Sequence, residues 1–211
     1  MGIFTLEEMR EEVSENLGGR VQSNRRIDRW INSALADVVN RIKPQELRLC
    51  ANLLTEEGIR AYEWQVKEQG IISVVSPSTK YRLLYRAEEN FSLNDRSRLD
   101  DPCEWSRTGG HLLLWPTPRR ELSLLITYNA LHDRLVSDEA TTILNPALDQ
   151  AIIIGATING LLFLGESERV QIFTEKFEYV LRSRNWVRDE TTEGFGVEVV
   201  TSREDLTRMR R

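Results

Sequence analysis

The spacing of apolar residues changes twice along this chain, and those two changes limit the folds open to it. From Leu6 to Ile42 and again from Leu148 to Leu181, apolar side chains recur every three or four residues, the period of an α-helix. Between them, from Leu47 to Ile143, the pattern becomes alternation and short β-branched runs punctuated by glycine and proline. The helical ends are too strongly patterned to be separate solvated arms. The chain therefore reads as α+β: a discontinuous four-helix domain (residues 1–46 and 144–187) with an inserted antiparallel β-sandwich or barrel-like module (residues 47–143). An extended C-terminal arm, residues 188–211, follows.

The helix signals are specific. Thr5 and Glu8 have capping-box spacing, and Phe4 with Met9 can staple the start. Leu6, Met9, Val13 and Leu17 then share a face that ends at Gly18-Gly19. Ser23 is placed to cap a second helix whose stripe includes Ile27, Trp30, Ile31, Leu35 and Val38 and which Pro44 stops. Asn145-Pro146 opens a third, and Leu148, Ile152, Ile153, Ala156 and Leu161 make it apolar nearly all round. Such a helix needs cover on more than one side, from other helices or from a neighbouring subunit. Its longest apolar run, Ala151 to Leu164, is about 14 residues, short of the roughly 18–20 that a bilayer requires, so no membrane partner is expected. A fourth helix carries Val170, Phe173, Phe177, Val180 and Leu181 on one stripe. Trp30, Ile31, Ile152, Ile153, Leu161, Phe173 and Phe177 are thus the candidates for core or subunit packing.

In the middle, Tyr62, Trp64 and Val66 alternate with polar residues, as do Tyr81, Leu83 and Tyr85, while Ile71 to Val75 is a β-branched run. Cys103 to Thr108, Gly109-Gly110 and His111 to Trp115 spell a hairpin, and Leu122 to Tyr128 a further strand.

Nothing in the chain spells out a reaction. It has no phosphate-binding glycine loop, nucleophile elbow or HExxH, and its histidines, His111 and His132, sit at a strand start and in a loop. Glu7-Glu8, Glu56-Glu57, Glu88-Glu89 and Asp100-Asp101 are adjacent in sequence, which points their side chains apart. No enzyme, cofactor or metal is expected. Two distant cysteines, Cys50 and Cys103, fit a reducing compartment, and the acidic helix start lacks a leader pattern, so an intracellular, soluble product is expected. A net charge of −5 argues against a protein that coats phosphate, leaving only local contacts with nucleic acid.

Three features could serve binding. Arg25, Arg26 and Arg29 open the second helix in the manner of a DNA-reading helix, against a solvated face as the plainer account. Trp64, Trp105 and Trp115 could stack on sugars, against service as module core. The tail combines Phe195, Val197, Val199 and Val200 with a basic end, Arg208, Arg210 and Arg211. Alone it buries too little apolar surface to fold, so it reads as an arm that orders on a partner.

The order of these segments carries a resemblance. Thr5-Leu6-Glu7-Glu8-Met9 leads to Arg29-Trp30-Ile31-Asn32-Ser33-Ala34. Gly110-His111-Leu112-Leu113-Leu114-Trp115-Pro116-Thr117-Pro118 and Leu124-Leu125-Ile126-Thr127-Tyr128 follow, then an apolar helix and one with Phe173 and Phe177. This resembles the head-to-tail adaptor (connector) proteins of tailed bacteriophages, particularly short-tailed phages, also called tail tubular or gatekeeper-type adaptors. One departure is Gln65-Val66-Lys67, where Leu-Pro is expected before the Ile71 strand. The resemblance implies a structural virion protein at the head–tail interface, assembled in the host cytoplasm as a ring of about twelve copies. It would dock on the portal protein through the arm, extend the DNA channel without sequence-specific binding, and give tail nozzle or tail tube proteins a platform. A DNA-binding regulator or a carbohydrate-binding tail component is the alternative.

Overall fold

The structure, a computed structural model, describes residues 2–183 apart from Val21, Gln65, Lys67 and residues 92–96. The C-terminal arm with its candidate portal-binding residues lies outside the described residues. Five helices are present among the described residues: α1 (Leu6–Asn16), α2 (Asn24–Ile42), α3 (Glu88–Phe91), α4 (Pro146–Leu164) and α5 (Ser167–Ser183). Packing divides the chain into two compact units, the described residues of Met1–Leu47 with Leu131–Thr191 and those of Arg48–Ala130.

In the helical unit the terminal signals act through identifiable bonds. The Glu8 backbone N–H donates to Thr5 Oγ1 at 3.2 Å, and the Thr5 N–H donates to Glu8 Oε2 at 2.8 Å. Asn145 Oδ1 accepts from the Ala147 N–H at 3.1 Å to start α4. Ser23 occupies the expected cap of α2, but its hydroxyl makes no capping bond; Arg26 and Ile27 donate to its carbonyl instead.

One core fills the unit. Leu6, Met9 and Val13 of α1 and Leu17 at its C-terminal cap meet Ile31, Leu35 and Val38 of α2 around α4, whose residues from Ala151 to Thr157 are all buried. Helix α4 runs 19 residues because Pro146 starts it five residues before the apolar run. By length and composition it is long and apolar enough to cross a membrane, yet 61% of its most apolar window is buried within the chain. Gly155 lets α2 come close: a β-carbon there would lie 3.0 Å from Ala34 Cβ.

The boundary expected after residue 143 falls earlier, because residues 131–143 pack with the helices. Asn32 clamps this segment, accepting the Leu135 N–H at 2.9 Å and donating to the Leu135 carbonyl at 3.1 Å. Arg10 reaches from α1 to Asp28 at 2.5 Å and to Asp138 at 2.6 Å. His132 is a loop staple: Nε2 accepts the Ile143 N–H at 3.3 Å, which leaves Nδ1–H to donate to the Asp133 carbonyl at 2.5 Å.

The second unit is a sandwich with no closed barrel. Its strands are β1 (Arg48–Leu54), β2 (Ala61–Glu63), β3 (Glu68–Ser76), β4 (Tyr81–Arg82) and β5 (Leu84–Tyr85). After α3 come β6 (Leu99–Asp100), β7 (Glu104–Thr108), β8 (His111–Trp115), β9 (Thr117–Pro118) and β10 (Ser123–Ala130). One sheet has the order β1-β10-β3-β4 and the other β2-β8-β7-β5, with β6 and β9 forming a small pair. Alternation drives the packing: Leu124, Ile126 and Tyr128 from one sheet meet Leu112, Leu114 and Trp105 from the other in a single core. The β7–β8 hairpin turns at Gly109 and Gly110, both with positive φ (52° and 85°), a geometry that matches strand twist and that glycine adopts freely.

One expectation changes. Tyr81, Leu83 and Tyr85 do not lie in one strand; β4 pairs with β3, β5 pairs with β7, and buried Leu83 marks where the chain crosses between sheets. The long pairings are antiparallel as expected, and two short ones, β5–β7 and β6–β9, are parallel.

Glu68 on β3 is a buried carboxylate that forms an ion pair with Arg107 on β7. Burial pushes its carboxyl above the ordinary glutamate value, opposed by the neighbouring Trp64 indole N–H and Arg107. The folded chain thus holds this proton more tightly than the unfolded chain, so the group's contribution to stability falls as pH rises above the ordinary glutamate range. Glu68→Gln is expected to remove that loss and leave the sandwich more stable than the parent at neutral pH, with the two converging in acid. Urea unfolding at pH 4 and pH 7 measures this; an equal gap at both values would refute it.

Candidate interaction surfaces

The packing candidates separate into two groups. Ile31, Ile152, Ile153, Leu161 and Phe177 are buried in the core of their own subunit, with Trp30 and Phe173 partly buried against it. Most of the apolar wall of α4 is therefore covered by α1, α2 and α5 of the same chain. What α4 leaves open is its end, where Leu162 and Phe163 are 60% and 56% exposed. The Trp30 ring lies 5.9 Å from that of Phe163, and the Arg26 guanidinium sits 4.3 Å from the Phe163 centroid. These contacts fix an apolar ridge against Arg26, which with Arg25 and Arg29 is exposed near the start of α2.

A second open surface lies between α4 and α5. Ala147, Gln150, Ile154, Ile172, Glu175 and Tyr179 line a groove of about 730 Å³ that Lys176 and Val180 complete. Ile172 and Tyr179 are exposed there, while Lys176 Nζ lies 5.0 Å from the Phe173 ring. Sequence periodicity assigned Phe173, Phe177 and Val180 to the buried stripe of α5, but it gave no sign that Ile172 and Tyr179 border a hollow. Two apolar residues just off a helical stripe were the available signal.

The tryptophans do not form a shared platform. Trp64 and Trp105 are buried, in contact with Tyr128 (5.6 Å) and Tyr85 (4.9 Å) respectively, and Trp115 lies under Arg98 at 5.3 Å. Among the described residues no three histidine, cysteine or carboxylate side chains gather as metal ligands. Neither cysteine is disulfide-bonded. In the sandwich, Asp101 is held below the ordinary aspartate value by hydrogen bonds from Arg120 and Arg119, and the Asp101 N–H donates to Asp100 Oδ1 at 2.9 Å, so the Asp100–Asp101 corner is fixed by arginines and backbone.

A helical unit closed from both ends of the chain is interrupted by a sandwich, and its helices leave Leu162, Phe163, Ile172 and Tyr179 exposed. The SU10 adaptor protein family matches residues 4–200, and the chain belongs to that family. It is a bacteriophage adaptor, a structural component of the virion. No curated protein matches the chain.

Proposed function

We propose that this protein is the ring-forming head-to-tail adaptor of a short-tailed phage. About twelve copies dock on the portal, extend the channel through which genomic DNA passes, and form the platform to which tail nozzle or tail tube proteins attach. The work is binding and ordering, with no chemical step. The observation that carries this reading is the family match over residues 4–200, on a chain whose helical unit keeps an apolar ridge and a groove exposed. The acidic balance, −5, suits a conduit that lets DNA slide. The helical unit forms the ring wall, the sandwich presents a docking face, and Phe195, Val197, Val199, Val200, Arg208, Arg210 and Arg211 engage the portal.

Removing residues 188–211 tests the assignment of the arm. The shortened protein is expected to keep its helical and strand content by circular dichroism and to lose attachment to portal particles in co-sedimentation. Unchanged attachment would overturn the role given to the arm. Negative-stain images of the intact protein mixed with portal should show twelvefold rings.

A further inference from the structure

We infer that the Leu162–Phe163 ridge of one copy seats in the α4–α5 groove of the next copy, so that rings close through a head-to-tail contact. The inference rests on the ring reading above and names its interface. Ridge and groove are both open surfaces of the helical unit, one a projection of large side chains and the other a hollow. The ridge projects two large side chains, with Phe163 held by Trp30 and Arg26, so little conformational freedom is lost on docking. The groove, about 730 Å³, has room for apolar side chains of this size.

Their placement dictates the symmetry. Both surfaces use α4: the groove its first half at Ala147, Gln150 and Ile154, the ridge its last residues. Ile154 and Leu162 are eight positions apart, roughly 12 Å along the axis, so one surface cannot be folded onto the other within a copy. A two-fold dimer needs one patch that complements itself, whereas two different complementary patches join copies head to tail and close into a ring when the rotation permits. Charge agrees in sign. Arg25, Arg26 and Arg29 beside the ridge form no ion pair with a described carboxylate, and Glu175 in the groove forms none with a described cation. The groove's own cation, Lys176, is turned over Phe173.

The test exploits the asymmetry. Phe163→Asp spoils the ridge and leaves the groove; Ile172→Asp spoils the groove and leaves the ridge. Both side chains are more than half exposed, so the fold is retained, as circular dichroism will verify. Each variant alone is expected to raise the concentration needed for self-assembly, with or without portal, by about 30-fold or more. Mixed in equal amounts, the two should form a dimer and stop there, since one good ridge meets one good groove. In a protein with Cys50 and Cys103 changed to Ser, Phe163→Cys with Ile172→Cys should give an oxidised ladder of multimers. A mixture that stays monomeric, or rings formed by either variant alone, would overturn the interface while wild-type rings keep the adaptor reading intact. In the same cysteine-free background, a separate Ile172→Cys, Trp186→Cys protein that oxidises to an intrachain disulfide would assign the groove to the chain's own C-terminal segment and likewise overturn the interface. Wild-type protein that forms no ring on portal would refute the ring reading and this inference together.

Discussion

Replacing Asp149 with alanine is expected to cost the helical unit about 3–5 kcal/mol, because three donors lose their acceptor at once. Asp149 is fully buried in the first turn of α4. It accepts the Ile3 N–H at 2.7 Å, the Phe4 N–H at 3.3 Å and the Thr142 hydroxyl at 2.7 Å. One carboxylate thereby ties the segment before α1 and the segment before α4 to the same helix end, where the positive end of the dipole also favours it. The fit is tight: a β-carbon on Gly2 would fall 2.5 Å from Thr142 Oγ1 and 2.7 Å from Asp149 Oδ2. Asp149→Asn keeps one acceptor oxygen and is expected to lose about half as much. Urea denaturation together with amide exchange in α1 and α4 measures the effect. A loss below about 1 kcal/mol for the alanine variant would show that the segments are held by packing alone.

Asp149 also marks the limit of what the sequence displays. The capping box at Thr5 and Glu8 is legible because its partners lie three residues apart, and the stripes of α2 and α5 are legible because periodicity is local. Asp149 bonds across 146 residues, and Asn32 holds Leu135 across 103. Neither distance leaves a trace in local pattern, so residues 131–143 read as an end of the strand module when they belong with the helices. Alternation at Tyr81, Leu83 and Tyr85 likewise tells which side chains share a face, but not that the chain changes sheets at Leu83. The interaction surface follows the same logic. The apolar excess of α4 was visible; how much of it α1, α2 and α5 consume was not, and only packing narrows the remainder to Leu162 and Phe163.

The second large effect is expected at Gly155, where α4 packs against Ala34 of α2. A β-carbon there would meet Ala34 Cβ at 3.0 Å and Phe177 Cε2 at 3.3 Å. Gly155→Ala sets that contact against the roughly 1 kcal/mol that alanine gains over glycine in a helix, so its net effect should be small. Gly155→Leu adds three further carbons with nowhere to go and should cost about 3 kcal/mol or more by forcing the two helices apart. Gly160 is the gentler site, because its neighbours are the movable end of Leu17 and the edge of Trp30, not the backbone-anchored carbon of an alanine. Pairing Gly155→Leu with Ala34→Gly separates the causes: if the contact between these two positions sets the penalty, the double variant regains at least about 1 kcal/mol of the loss. Additive losses in urea denaturation, with no recovery, would place the strain on Phe177 instead of on the α2–α4 contact.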